Sequence, residues 1–179
     1  APLQRSLGEL LAVKASDAAI LRTSQDYVRA VVAHEVGHIL GLRHNFAGSL
    51  AAKNYPLDKR DAIFQAYLAD DQVPADVETA SSEMDYLPME ESAIHGHQMR
   101  SNPGKVYTHD RIALEMLYQG KNPAETDVPP FCTDSGVDKY SDCRRHDAGV
   151  SLVEFAANSS RKATETLANR VVESFISAK

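Results

Sequence analysis

The chain lacks any uninterrupted apolar stretch of the roughly 18 to 20 residues a helix needs to cross a bilayer. Its opening, APLQRSLGEL, has no signal-peptide core, so the chain as given is expected to be soluble. Cations are also in short supply: 19 Lys and Arg face 25 Asp and Glu, for a formal net charge of -6. Neutralising phosphates takes clustered Lys and Arg, so a nucleic-acid partner is not expected. Cysteine is scarce, and Cys132 and Cys143 have no second Cys or His pair at the short spacing of a structural zinc site. They flank TDSGVDKYSD, and two readings stay open. Either they close a small disulfide loop, which suits an extracytoplasmic protein, or they are unrelated thiols of a reducing compartment. Internal repeats and long alternating apolar runs are missing too, which leaves helix as the dominant element.

What is present suffices for one domain: 179 residues, 43% of them hydrophobic, allow a real core. The chain begins with Ala1 rather than Met and so reads as a mature product or a part of a longer parent chain. Residues 1–22 carry apolar side chains without a single stripe and are expected to form an arm or a short helix. From Thr23 or Ser24 onward, Val28, Val31, Val32, Val36, Ile39 and Leu40 recur at helical spacing and predict a core-facing helix that Gly41 stops. A second helix is expected from Asp58 as N-cap through Leu68, and a third from Thr108 to Gly120. A long amphipathic helix is expected over 151–176. Residues 47–56, 71–88, 96–105 and 122–147 read as loops. The acidic run LADDQVPADVE reads most simply as a solvated face, with a calcium site as the alternative, although its Asp spacing matches no EF-hand loop.

Chemistry concentrates in VVAHEVGHILGLRHNF, residues 31–46. His34 and His38 stand at i and i+4, on one helix face and about 6 Å apart along the axis, from which two imidazoles converge on one zinc ion. Glu35 follows the first histidine, beside such a metal rather than on it, where a carboxylate serves as general base and then acid for hydrolysis. Gly41 lets the chain leave the helix in a left-handed turn, and His44 then returns as third ligand. Three protein ligands keep a fourth position open, the arrangement of a catalytic zinc rather than a structural one.

The pattern H-E-x-x-H-x-x-G-x-x-H resembles that of the metzincin zinc endopeptidases, whose signature adds a methionine-containing turn downstream. SSEMDYLP, residues 81–88, is similar to that turn and lies about 40 residues after the third histidine. The resemblance makes Met84 the hydrophobic floor beneath the metal. It makes Tyr86 the counterpart of a tyrosine that astacin-like and serralysin-like enzymes use as a displaceable ligand and as a donor to the tetrahedral intermediate. The two strings together are most similar to large, mostly bacterial zinc-dependent metalloproteases with a C-terminal metzincin-type domain, which implies an extracytoplasmic location and a peptide or protein substrate. The likeness is dense from residue 31 to 88 and looser in YTHDRIALEMLY and from FCTD to HDAG. One departure stands out. Metzincins place substrate-binding strands before the active-site helix, and only 33 residues precede His34. The expected architecture is therefore mainly α: a single catalytic subdomain over 1–179 with the active-site helix and third-ligand turn at 23–44, the turn at 81–88 and a helical part over 106–179. Its N-terminal sheet is missing or reduced.

Other histidines are not assigned to the metal. His95 and His97, around a glycine in IHGHQM, are expected to be solvated in a polar loop. His109, beside the expected N-cap Thr108, and His146, near the cysteine loop, are given structural roles, and Asp110 is placed to favour the helix dipole. Arg43, Asn45 and Asp85 are candidates to orient the ligating imidazoles. The expected function is zinc-dependent peptide-bond hydrolysis. The alternatives are an inactive zinc-containing binding or structural module and a metal-free helical interaction domain.

Overall fold

The computed structural model describes residues 15–124, 127–137 and 139–146 and scattered positions between 151 and 167. The first part of the expected N-terminal arm and most of the expected C-terminal helix lie outside the described residues. Four α-helices are described: α1 (Asp17–Ile39), α2 (Leu57–Asp70), α3 (Met89–Ser101) and α4 (Thr108–Gln119), with a 3-10 turn at Ser49–Ala51. Among the described residues no strand forms, and Lys53 and Glu78 make an isolated antiparallel bridge. The mainly helical expectation holds.

Helix α1 starts earlier than expected. The Ser16 hydroxyl accepts the Ala19 N–H at 3.2 Å, and Asp17 occupies the first turn, where a carboxylate suits the helix dipole. It stops where predicted. Gly41 adopts φ 89°, and Leu42 N–H reaches back to the Gly37 carbonyl at 2.9 Å. The buried face of α1, however, is not the valine stripe. Val28, Val32 and Ile39 are 56%, 55% and 82% exposed, whereas Ala19, Thr23, Asp26, Ala30 and Gly37 are buried. Small residues win that face because α1 packs closely on α3. At the crossing, a Cβ on Gly96 would collide with the backbone of Asp26, so only glycine allows the two helices to approach this far.

Helix α3 is itself a correction. Residues 96–101 are helical rather than loop, and His95 and His97 are buried in the packed face, not solvated. Gly96 reads as a loop signal in sequence, but here it is a packing contact. Helix α2 begins with Pro56 at its N-cap rather than Asp58, and α4 is preceded by Tyr107 rather than Thr108 as cap. The core proper gathers Tyr55, Ile63, Phe64, Tyr67, Leu68, Val77, Ala93 and Ile94 between α2, α3 and the intervening loop.

Candidate metal centre

The last turns of α1 and the segment after it bring His34, His38 and His44 together. Each offers a ring nitrogen, and the three atoms lie within 4.8 Å of one another. The sequence spacing explains two of them, since i and i+4 share a helix face. The third depends on the left-handed exit at Gly41.

What the other ring nitrogens do decides the chemistry. His34 Nδ1 lies 2.8 Å from the Glu83 carbonyl, His38 Nδ1 3.0 Å from the Leu42 carbonyl, and His44 Nδ1 2.9 Å from Asp134 Oδ2. Carbonyl and ionised carboxylate oxygens only accept, so each Nδ1 carries a proton and, in the neutral ring, each Nε2 presents a lone pair. His38 Nε2 and His44 Nε2 face each other at 3.2 Å. Two neutral lone pairs at that distance repel, and a shared cation resolves the repulsion. The residues present therefore fit a metal ion with nitrogen preference, such as zinc.

Met84, 1% exposed, packs its sulfur against the α-carbon side of Gly37, between the two α1 histidines; a Cβ there would overlap the sulfur. The glycine between the two α1 histidines thus has a packing purpose that motif spacing alone does not reveal. The 81–88 segment is pinned from three directions. Asp110 accepts the Ser82 hydroxyl at 2.5 Å and the Glu83 N–H at 2.7 Å, and the Met84 carbonyl accepts the Asn45 N–H at 2.9 Å. Asp85 accepts the Ser49 and Tyr86 N–H groups, each at 2.8 Å. The Tyr86 hydroxyl reaches to 3.0 Å from His44 Nε2.

A cavity of about 430 Å³ opens over the cluster, lined among others by Tyr27, Val31, Glu35, Leu87, Tyr86 and His146. Glu35 is exposed on its wall. His146 stacks on the Tyr86 ring at 5.1 Å between centroids, which places it at the cavity rather than only beside the cysteine loop. Cys132 and Cys143 form a disulfide.

The expected orienting residues divide. Asp85 holds backbone instead of an imidazole. Arg43 is exposed. Asn45 ties the third-histidine turn to the cysteine loop, its Oδ1 accepting the Cys132 N–H at 3.0 Å and its Nδ2 donating to the Pro130 carbonyl at 3.1 Å. Two functional carboxylates escaped sequence reasoning. Asp110 looked like a helix-dipole residue, and Asp134 sat in a run of turn residues whose one signal was its place just after Cys132. The hydrogen bond from His44, joined by Arg145 at 2.7 Å, holds the Asp134 carboxyl down to about 2.

A second histidine and aspartate cluster, Asp26, Asp71 and His97, also brings ligand-type atoms within 4.8 Å. Arginines fill it. Arg100 donates to Asp26 at 3.0 and 3.1 Å and to Asp71 at 2.6 Å, Arg29 pairs with Asp26, and Arg22 lies 3.2 Å from Asp71. Asp71 belongs to the acidic run expected to be solvated, and it is a lock between helices instead.

Neither the curated proteins nor the solved structures yield a match to this chain. A family model described as Met-zincin matches residues 17–129, more than half of the sequence and all three clustered histidines.

Proposed function

Since the chain belongs to the Met-zincin family, we propose that it is a zinc metalloendopeptidase and that His34, His38 and His44 hold the metal. The observation that supports this reading is the arrangement of the three rings, each with Nδ1 committed to an acceptor and with one ring nitrogen of each within 4.8 Å of the other two. A zinc ion held there would supply Lewis-acid polarisation of the scissile carbonyl and would lower the pKa of a water toward about 7.

The chain's own groups do the rest. The Glu35 carboxylate, on the cavity wall one residue from His34, takes the proton of the attacking water and passes it to the departing amine. The Tyr86 hydroxyl, now bonded to His44 Nε2, is placed to swing to the developing oxyanion, a contact worth on the order of 3 kcal/mol per donor in other hydrolases. Met84 packs against α1 between its two histidines, and Asp110 keeps the segment carrying Met84 and Tyr86 in place. The polypeptide substrate lies in the cavity over Glu35. We further assign residues 1–179 to one catalytic subdomain of a larger, bacterial-type protease. The disulfide supports an extracytoplasmic location, because such bonds persist in oxidising compartments.

Glu35→Gln tests the reading most directly. The variant should lose peptide hydrolysis by a factor of at least about 100 while binding zinc as the parent does. Turnover near the parent rate would remove Glu35 from the mechanism.

A further inference from the structure

The third histidine is held differently from the other two. His34 and His38 donate Nδ1–H to backbone carbonyls, of Glu83 and of the turn that ends their own helix. His44 stands on an irregular segment and donates to a side-chain carboxylate 90 residues away, Asp134 Oδ2 at 2.9 Å. Asp134 is not loosely placed. It follows Cys132 by two residues, and Cys132 is fixed to the His44 segment through its own backbone. The Cys132 carbonyl accepts the Phe46 N–H at 2.7 Å, and its N–H donates to Asn45 Oδ1 at 3.0 Å. On the other side, the Arg145 guanidinium donates to Asp134 Oδ1 at 2.7 Å and lies over the Phe46 ring, 5.5 Å from its centroid. Arg145 is in turn delivered by the fully buried Cys143, covalently tied to Cys132 across Gly136, where a Cβ would collide with the Cys132 sulfur.

We infer that the disulfide-closed loop is a clamp on the third histidine: Asp134 is the positioning residue that fixes the tautomer and ring orientation of His44, and the Cys132–Cys143 bond acts through Arg145 to hold Asp134 in place. This rests on the zinc reading given above and adds a residue and a redox sensitivity to it. A carboxylate accepting from a ligating imidazole raises that imidazole's basicity and pre-sets its angle, and loss of such a partner typically costs 10- to 100-fold in metal affinity. The disulfide supports the clamp at one remove. Asp134 stays anchored at the Cys132 end when the bond is cut, so cutting it costs less than deleting the carboxylate.

The test is zinc affinity by chelator competition, with the visible spectrum of the cobalt-substituted protein as a report on ligand geometry. It uses the full chain in five forms: parent, Asp134→Ala, Asp134→Asn, the paired Cys132→Ala and Cys143→Ala, and that pair combined with Asp134→Ala. Asp134 is surface-accessible, so its replacement leaves the fold intact, and far-ultraviolet circular dichroism checks this for each form. Asp134→Ala should weaken zinc by about 10- to 100-fold and shift the cobalt bands. Asp134→Asn should recover part of the loss, because the amide oxygen still accepts Nδ1–H. The cysteine pair should weaken zinc by a smaller factor. That smaller factor should vanish in the Asp134→Ala background. A parent that binds zinc while Asp134→Ala binds it equally well with an unchanged cobalt spectrum would overturn the clamp and leave the zinc reading standing. A parent that binds no zinc would overturn both.

Discussion

Among the described residues, two clusters bring metal-ligand-type atoms equally close, one of three histidines and one of two aspartates with a histidine, and they are opposites. Around His34, His38 and His44, each Nδ1 meets an oxygen acceptor, and the Nε2 atoms of His38 and His44 face each other beside an open cavity with only the Tyr86 hydroxyl bonded there. Around Asp26, Asp71 and His97, three arginines enter the space between the acidic oxygens. The first arrangement asks for a cation from solution, and the second already has its cations on the chain. Convergence of ligand atoms is therefore a poor guide until the charges competing for them are counted. The position in the fold follows the same division. The arginine-filled cluster sits where α1 and α3 cross at Gly96 and holds the packing together; the histidine cluster sits at the end of α1, where the chain turns out toward the cavity.

The comparison can be broken most decisively at its first member. His38→Ala should abolish stoichiometric zinc binding, and zinc added to the variant should no longer raise its melting temperature, whereas the parent should bind about one zinc per chain. Two zinc ions per parent chain, the second lost in a His97→Ala variant, would erase the distinction between the clusters. The next largest effect is expected at the second member. Arg100→Ala leaves Asp26, which is fully buried, with only Arg29 and the Tyr67 hydroxyl, and should cost on the order of 3 kcal/mol of stability. Zinc stoichiometry should not change. Denaturant unfolding paired with metal analysis reads both quantities from one preparation.

The smallest effect concerns acid. Burial alone would raise the Asp71 and Glu78 carboxyls, yet Arg100, Arg22 and His97 on the first, and Lys53 and Lys105 on the second, bring both below the usual carboxylate range. A depressed folded-state pKa contributes stability that is present above the unfolded value near about 4 and is lost as pH falls through the folded value. Metal-free protein should thus lose stability between neutral pH and about pH 3, and the Arg100→Ala variant should lose less over the same interval. The difference should be about 1 kcal/mol or below, since both carboxylates are partly solvated. Equal acid sensitivity in the two proteins would mean that Arg100 is not what sets the Asp71 carboxyl.

The extent to which the site was legible in the sequence differs residue by residue. The i, i+4 histidines and the glycine stop are matters of helix geometry, and they appear where spacing puts them. The valine stripe misled, because periodicity shows that a helix has an apolar face without showing which face its neighbour covers. Here the small-residue face of Ala19, Ala30 and Gly37 allowed the closer approach. Gly96 misled for a related reason, since a glycine required by a helix crossing looks the same in sequence as one required by a turn. That error left His95 and His97 in solvent, whereas the helix buries both.

The sequence by itself determined the triad's spacing, the glutamate beside it and the helical class, because each depends on local periodicity and on the conformational freedom of one glycine. Only the tertiary structure decided which acceptors meet the three imidazoles. Glu83 and Asp134 lie 49 and 90 residues from the histidines they orient, and no local rule links positions so far apart. Their meeting follows from packing: Met84 fits under Gly37, Asp110 pins the turn, and a disulfide holds the Asp134 loop against the third histidine.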